Sequence, residues 1–195
     1  MELDEALRTT FAAREFTGEE LPDQTLFAIL DRARFAPSAS NRQPWKVVIV
    51  RDHRTRKEIA ACEDAAAAAA GIAMPNWTSP VLTASVVLVA CLDLSKVIAI
   101  DANVGRTSVS LGSSIYPFAW SILLAAREEG FGGTLTTLAT GQEPRLREAL
   151  GIPDGIAVGA VLPLGRPARQ VRQLKRRPVA AFTMRERWNG APLEG

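Results

Sequence analysis

A chain of 195 residues, 47% hydrophobic and 23% charged, has the balance of a globular protein and can bury a sizeable core, which excludes a disordered chain. Its net charge of +2 is too small to argue for a nucleic-acid partner. The longest apolar run, around residues 81–92, falls far short of the roughly 20 residues a membrane helix needs, and the opening MELDEALRTT has no apolar secretory stretch. The expected location is therefore the cytoplasm, with no membrane partner.

Leu3, Ala6, Leu7 and Phe11 share one face of a short helix over 3–11. A second helix starts at Pro22, carries Leu26, Phe27, Leu30 and Ala33 at helical spacing, and is stopped by Pro37. KVVIVR at 46–51 reads as a buried strand. Residues 54–73 read as an alanine-rich helix, alanine being the best helix former. A loop with Met74, Pro75, Asn76, Trp77 and Pro80 leads to a second strand, ASVVLVACL, at 84–92.

The pattern then predicts one long helix over 103–129, with Leu111, Ile115, Phe118, Ile122, Leu123 and Ala126 as its stripe. Pro117 kinks it or begins its second half, and the glycines of EGFGG at 129–133 end it. A short helix at 143–150, a third strand at 156–164 and a basic tail complete the chain. No repeat or linker interrupts it, so residues 1–195 read as a single α+β domain. Three strands are few for a sheet covered by helices. The tail or the N-terminal segment is expected to supply another, if need be across a subunit boundary.

The side chains that usually carry catalysis are scarce. Cys62 and Cys91 form neither a disulfide framework nor a metal signature, and Cys91 reads as a core residue. The lone histidine, His53, reads as a solvated loop residue. That argues against serine–histidine or cysteine–histidine hydrolysis and against zinc. Charge is uneven, however. Between Asp154 and Glu186 there is no acidic residue, while Arg166, Arg169, Arg172, Lys175, Arg176, Arg177 and Arg185 fall there. Such a stretch wants an anion. It lacks the interleaved aromatics that stack nucleic-acid bases.

Four segments could carry a ligand. APSASNRQPW at 36–45 offers small side chains, hydroxyls and an amide between a helix and a strand; from composition alone an ordinary polar loop is the preferred reading. GFGGTLTTLAT at 130–140 has glycines that permit close backbone approach. It fits neither nucleotide-binding glycine motif and follows a helix, so a helix cap plus loop is its plain reading. Arg14, two residues before Phe16, and the run Lys175-Arg176-Arg177-Pro178 are surface charge or, if they converge, a phosphate clamp.

Together these segments resemble the nitroreductase family of flavoproteins, over nearly the whole chain. The resemblance lies in the order of AREFTGEELPDQTLFAILDRARFAPSASNRQPW, ASVVLVAC, LLAAREEGFGGTLTT, LREALGIPDG, VGAVLPLGRP and KRRPV. It implies a mostly antiparallel sheet sandwiched by helices, and an intertwined homodimer with FMN in the subunit interface. It implies ping-pong hydride transfer from NAD(P)H to a small-molecule electron acceptor, a nitroaromatic or a quinone. Arg14 would contact the FMN phosphate or ribityl chain, with Arg176 and Arg177 reaching the phosphate from the C-terminal side. Pro37, Ser38, Ala39, Ser40 and Asn41 would border the flavin from the neighbouring subunit. Backbone groups near Thr136, Thr137 and Leu138 would face N5, and Asn76 the pyrimidine edge. Where the family usually opens with a basic pair and a serine, this chain has Thr10, Phe11 and Ala12, of which Thr10 can still donate one hydrogen bond.

A flavin carries the hydride itself, so the resemblance names no catalytic side chain. Trp77, Tyr116, Phe118 and Trp120 are candidates to line the open ring face; core or dimer packing is the preferred reading for Phe118 and Trp120. Other flavin chemistry on the same fold (dehalogenation, enone reduction, flavin cleavage) and a non-catalytic flavin-binding protein are the alternatives.

Overall fold

The structure is a computed structural model of the chain, described for residues 1–74, 78–105 and 107–195. In chain order it comprises α1 (Leu3–Thr9), α2 (Asp23–Ala33), β1 (Trp45–Val50), α3 (His53–Ala69), the single-turn α4 (Pro80–Thr83) and β2 (Val86–Asp93). Then follow α5 (Gly112–Glu128), β3 (Gly132–Gly133), α6 (Glu143–Leu150) and β4 (Ile156–Gly165). Among the described residues the strands form one antiparallel four-stranded sheet in the order β1-β2-β4-β3.

β2 is the centre of the molecule. It pairs along its length with β1 and, through a bulge at Ala90/Cys91, with β4. Val86, Leu88, Ala90 and Leu92 face α2 and α5, together with Leu26, Ile29, Ile115 and Ile122. Val87, Val89 and Cys91 face the other way, with Ile59 of α3, Val81 of α4 and Leu146 of α6. Helices therefore cover both faces of the sheet. A strand buried on both faces has no polar alternation, which is why β2 is an unbroken apolar run. Burial pushes the Cys91 thiol up to about 11, so it stays protonated and inert.

The predicted long helix over 103–129 begins only at Gly112. Ahead of it, Asp101 accepts hydrogen bonds from Ser108 Oγ at 2.5 Å and the Val109 amide at 2.9 Å, and Ser110 Oγ also donates to it. These local side-chain bonds compete with helix formation. The sheet within this chain also gains a fourth strand that the apolar spacing did not show. Gly132 and Gly133 supply it, and the N-terminal segment contributes single bridges, Ala12 to Gly133 and Phe16 to Pro167. His53, expected in a loop, is instead the exposed first residue of α3, because Asp52 caps that helix by accepting from the Thr55 amide at 2.7 Å. Among the described residues no helix is long and apolar enough to cross a membrane.

Candidate flavin site

The site is built where β3 leaves the sheet. Gly133 pairs with Leu164 of β4, and the N-terminal segment lies against its other side, with the Ala13 amide donating to Gly133 O at 2.9 Å. Three residues on, Thr136 and Val161 exchange two backbone bonds, Thr136 N to Val161 O at 3.0 Å and the reverse at 2.8 Å. The chain between these anchors has little freedom. Gly133 has no room for a side chain, because a Cβ there would lie 2.2 Å from Pro163 O. Arg14, one residue beyond Ala13, thus sits beside the 134–138 turn.

Arg14 and Thr134, Thr136, Thr137 and Leu138 line one side of a cavity of about 400 Å³, with Glu63 of α3 and Ser79 also in its wall. That size is at the lower end of the roughly 300–1,000 Å³ typical of small-molecule pockets. Two amides of the turn are already used, that of Thr136 by Val161 O and that of Leu138 by Thr136 Oγ1 at 3.2 Å. The Thr137 amide meets no acceptor among the described residues, and Thr137 is exposed. A backbone donor held in place without an internal acceptor is free for a ligand atom. Arg14 is exposed, with Nη1 3.4 Å from Ala12 O.

Glu63 is 95% removed from solvent, at 5% exposure. Ser79 Oγ donates to its Oε2 at 3.0 Å. Burial pushes the carboxyl above the usual carboxylate range; the Ser79 hydrogen bond pulls it down, and the charge of Asp64 pushes it up again.

The structure thus brings Arg14, Thr136, Thr137 and Leu138 together. Thr10 is buried nearby in sequence, at the end of α1, and its hydroxyl has no hydrogen-bond partner among the described residues. Arg176 and Arg177 do not line this cavity within the chain; they border a separate depression with Asp4, Leu7 and Arg8 of α1. Pro37, Ser38, Ala39, Ser40 and Asn41 also lie outside the cavity wall of their own chain. In that loop Ser40, Asn41 and Gln43 have φ of 52°, 51° and 47°. Each costs energy for a non-glycine residue, and such strain clusters at functional sites. The Gln43 amide donating to Ser38 Oγ at 3.0 Å and Gln43 Nε2 donating to Asn41 Oδ1 at 3.0 Å hold the loop in shape.

Asn76 and Trp77 lie outside the described residues. Phe118 is core, stacked on Trp45 with ring centroids 4.8 Å apart, while Tyr116 and Trp120 are exposed. Glu63 was missed in the sequence, although a signal exists. It falls on the buried stripe of α3, three and four residues from Ala60 and Ile59, and a carboxylate on an apolar stripe is a conspicuous position.

The profile of the Nitroreductase family matches residues 7–166. A protein of Archaeoglobus fulgidus, whose name couples NADH dehydrogenase with NAD(P)H nitroreductase, is 33% identical over 172 residues, covering 85% of this chain and 87% of that protein. Human iodotyrosine deiodinase 1 is 29% identical over 194 residues, covering 91% of this chain and 66% of the human protein. Among solved structures, a Desulfovibrio desulfuricans nitroreductase in complex with FMN superposes with a TM-score of 0.77 at 22% identity, covering 96% of this chain and 98% of that one. The NADPH:FMN oxidoreductase of Vibrio harveyi, complexed with NAD+, gives 0.75 at 23%, covering 95% and 77%. With the family's profile matched over most of the chain and a relative 33% identical over most of both lengths, the protein belongs to the nitroreductase family.

Proposed function

We propose that the chain is an FMN-dependent oxidoreductase that passes hydride from NAD(P)H to a small acceptor, a quinone or a nitroaromatic compound, by a ping-pong mechanism. The observation that carries this reading is the Thr137 amide without an internal acceptor, held beside Arg14 at one cavity. The residues at the cavity fit the cofactor, a cation for its phosphate and an amide for its ring edge; Thr10, whose buried hydroxyl lacks a partner among the described residues, lies outside the cavity wall. Bound there, FMN supplies the ring that accepts and donates hydride.

The protein's own work is to hold and orient. Arg14 neutralises the phosphate or anchors the ribityl chain, and Arg176 and Arg177 add charge from the C-terminal side. The Thr137 N–H, between the internally bonded Thr136 and Leu138 amides, fixes the ring edge. Asn76 serves the pyrimidine edge. Pro37, Ser38, Ala39, Ser40 and Asn41 come from a second copy of the chain, so the working unit is a homodimer. Exposed large apolar side chains on α2 and α5 and just after α2 support this: Phe27, Phe35, Tyr116 and Trp120 are all open to solvent, and α2 and α5 pack against each other.

The protein purified with added FMN is expected to keep its visible flavin bands through gel filtration and to bleach with NADH or NADPH. A colourless protein that takes up no FMN overturns the reading. Light scattering is expected to give twice the 21.0 kDa chain mass, and a flavin-saturated monomer overturns the dimer. Reductive dehalogenation at the same site is the second reading, favoured by the deiodinase relatives. Release of iodide from an iodinated phenol faster than quinone reduction would select it.

A further inference from the structure

The cavity wall carries a carboxyl group that the cofactor does not need. Among the described residues Arg14 and Glu63 are the charged side chains lining this cavity. Glu63 projects from α3, and Ser79 binds its Oε2. Ser79 is itself fixed, because its Oγ also accepts from the Val81 amide at 3.2 Å as the cap of α4. No donor or acceptor among the described residues takes Oε1. Neither α4 nor the 138–142 turn, both packed on α3, brings a charged side chain. Of the four charges of α6, Glu143 is engaged by the Val158 amide, Arg145 by Glu58 and Arg147 by Asp154, and Glu148 lines a separate depression with Asp52 and Glu58. Asp64 is the acidic neighbour on α3 itself.

We propose that Glu63 is the proton donor to the acceptor reduced in this cavity, an inference that rests on the flavin-oxidoreductase reading. Reduction of a quinone to a hydroquinone takes one hydride, supplied by the reduced flavin, and one proton. The carboxyl O–H of Glu63 breaks, an O–H bond forms on the acceptor oxygen, and the carboxylate keeps the electron pair. The Ser79 hydroxyl stabilises that anion, and solvent returns the proton before the next turnover. Desolvation keeps Glu63 protonated to higher pH than an ordinary carboxyl. The quinone rate therefore falls as pH rises through the Glu63 pKa.

The test compares two oxidants of the FMN-loaded, NADH-reduced enzyme in a stopped flow. Benzoquinone needs a proton, whereas ferricyanide takes single electrons and none. Glu63→Gln keeps the side-chain shape and can still accept from Ser79. The ratio of quinone to ferricyanide rate is expected to fall by about 100-fold in this variant, with loss of the high-pH decline, and Glu63→Asp is expected to restore part of it. In the cofactor-free protein, the ¹³C side-chain carboxyl signal absent from Glu63→Gln is expected to titrate above those of the other glutamates. An unchanged ratio in a flavin-loaded variant, or equal losses with both oxidants, overturns the proton-donor role alone. A wild-type protein that never takes up flavin overturns the functional reading and this inference with it.

Discussion

Gly133→Ala is expected to lower the melting temperature by about 6–12 °C and to abolish FMN retention. The added Cβ would meet Pro163 O at 2.2 Å and Leu164 Cδ2 at 2.5 Å. Leu164 could turn away, but the Pro163 carbonyl belongs to β4, whose neighbours on both sides are paired strands. Overpacking against a backbone costs about 3 kcal/mol, and a chain of this size loses roughly 2–4 °C per kcal/mol. The substitution also displaces the 134–138 turn, because Gly133 O holds the Ala13 amide and Thr136 is pinned to Val161. Thermal unfolding followed by circular dichroism, with a flavin titration at low temperature, checks both parts. A variant that melts with the wild type would show that the turn can shift and does not preset the amide of Thr137.

Arg14→Ala is expected to weaken FMN binding by about 10- to 100-fold while leaving the cofactor-free protein folded. Loss of a charged phosphate contact costs roughly 1.5–3 kcal/mol, and each 1.4 kcal/mol is tenfold in Kd. The side chain is exposed and outside the core, so cofactor-free stability should move by less than about 0.5 kcal/mol. Arg14→Lys keeps the charge but not the fork of donors and is expected to fall between the two. Quenching of flavin fluorescence gives the Kd. If Arg14→Ala binds FMN as tightly as the wild type, the phosphate is held elsewhere, and Arg176 and Arg177 of a second chain become the residues to test.

The sequence determined the layers by itself. The unbroken apolar run of β2 required cover on both faces, and α2, α3 and α5 supplied it with stripes that could be seen in their spacing. Composition alone left APSASNRQPW and GFGGTLTT as ordinary loops, and only their order along the chain, through the family resemblance, singled them out. Segments governed by local hydrogen bonding were harder. The 103–129 pattern looked helical as far as hydrophobic spacing goes, yet the carboxylate of Asp101 captures the following serines and an amide and delays the helix to Gly112.

Only the tertiary structure decided which of the candidate groups share a cavity. Arg14 is about 120 residues from Thr137 in sequence, and nothing local joins them; they meet because a parallel bridge lays Ala12 against Gly133. Periodicity cannot register a pairing of one or two residues, so β3 and that bridge left no trace in the spacing of apolar residues. Glu63 belongs to the same class. Its place on the α3 stripe was written in the sequence, but its burial and its bond to Ser79 depend on how α3 and α4 pack over the sheet. Helical spacing fixes which face a side chain takes, and long-range packing fixes what that face meets.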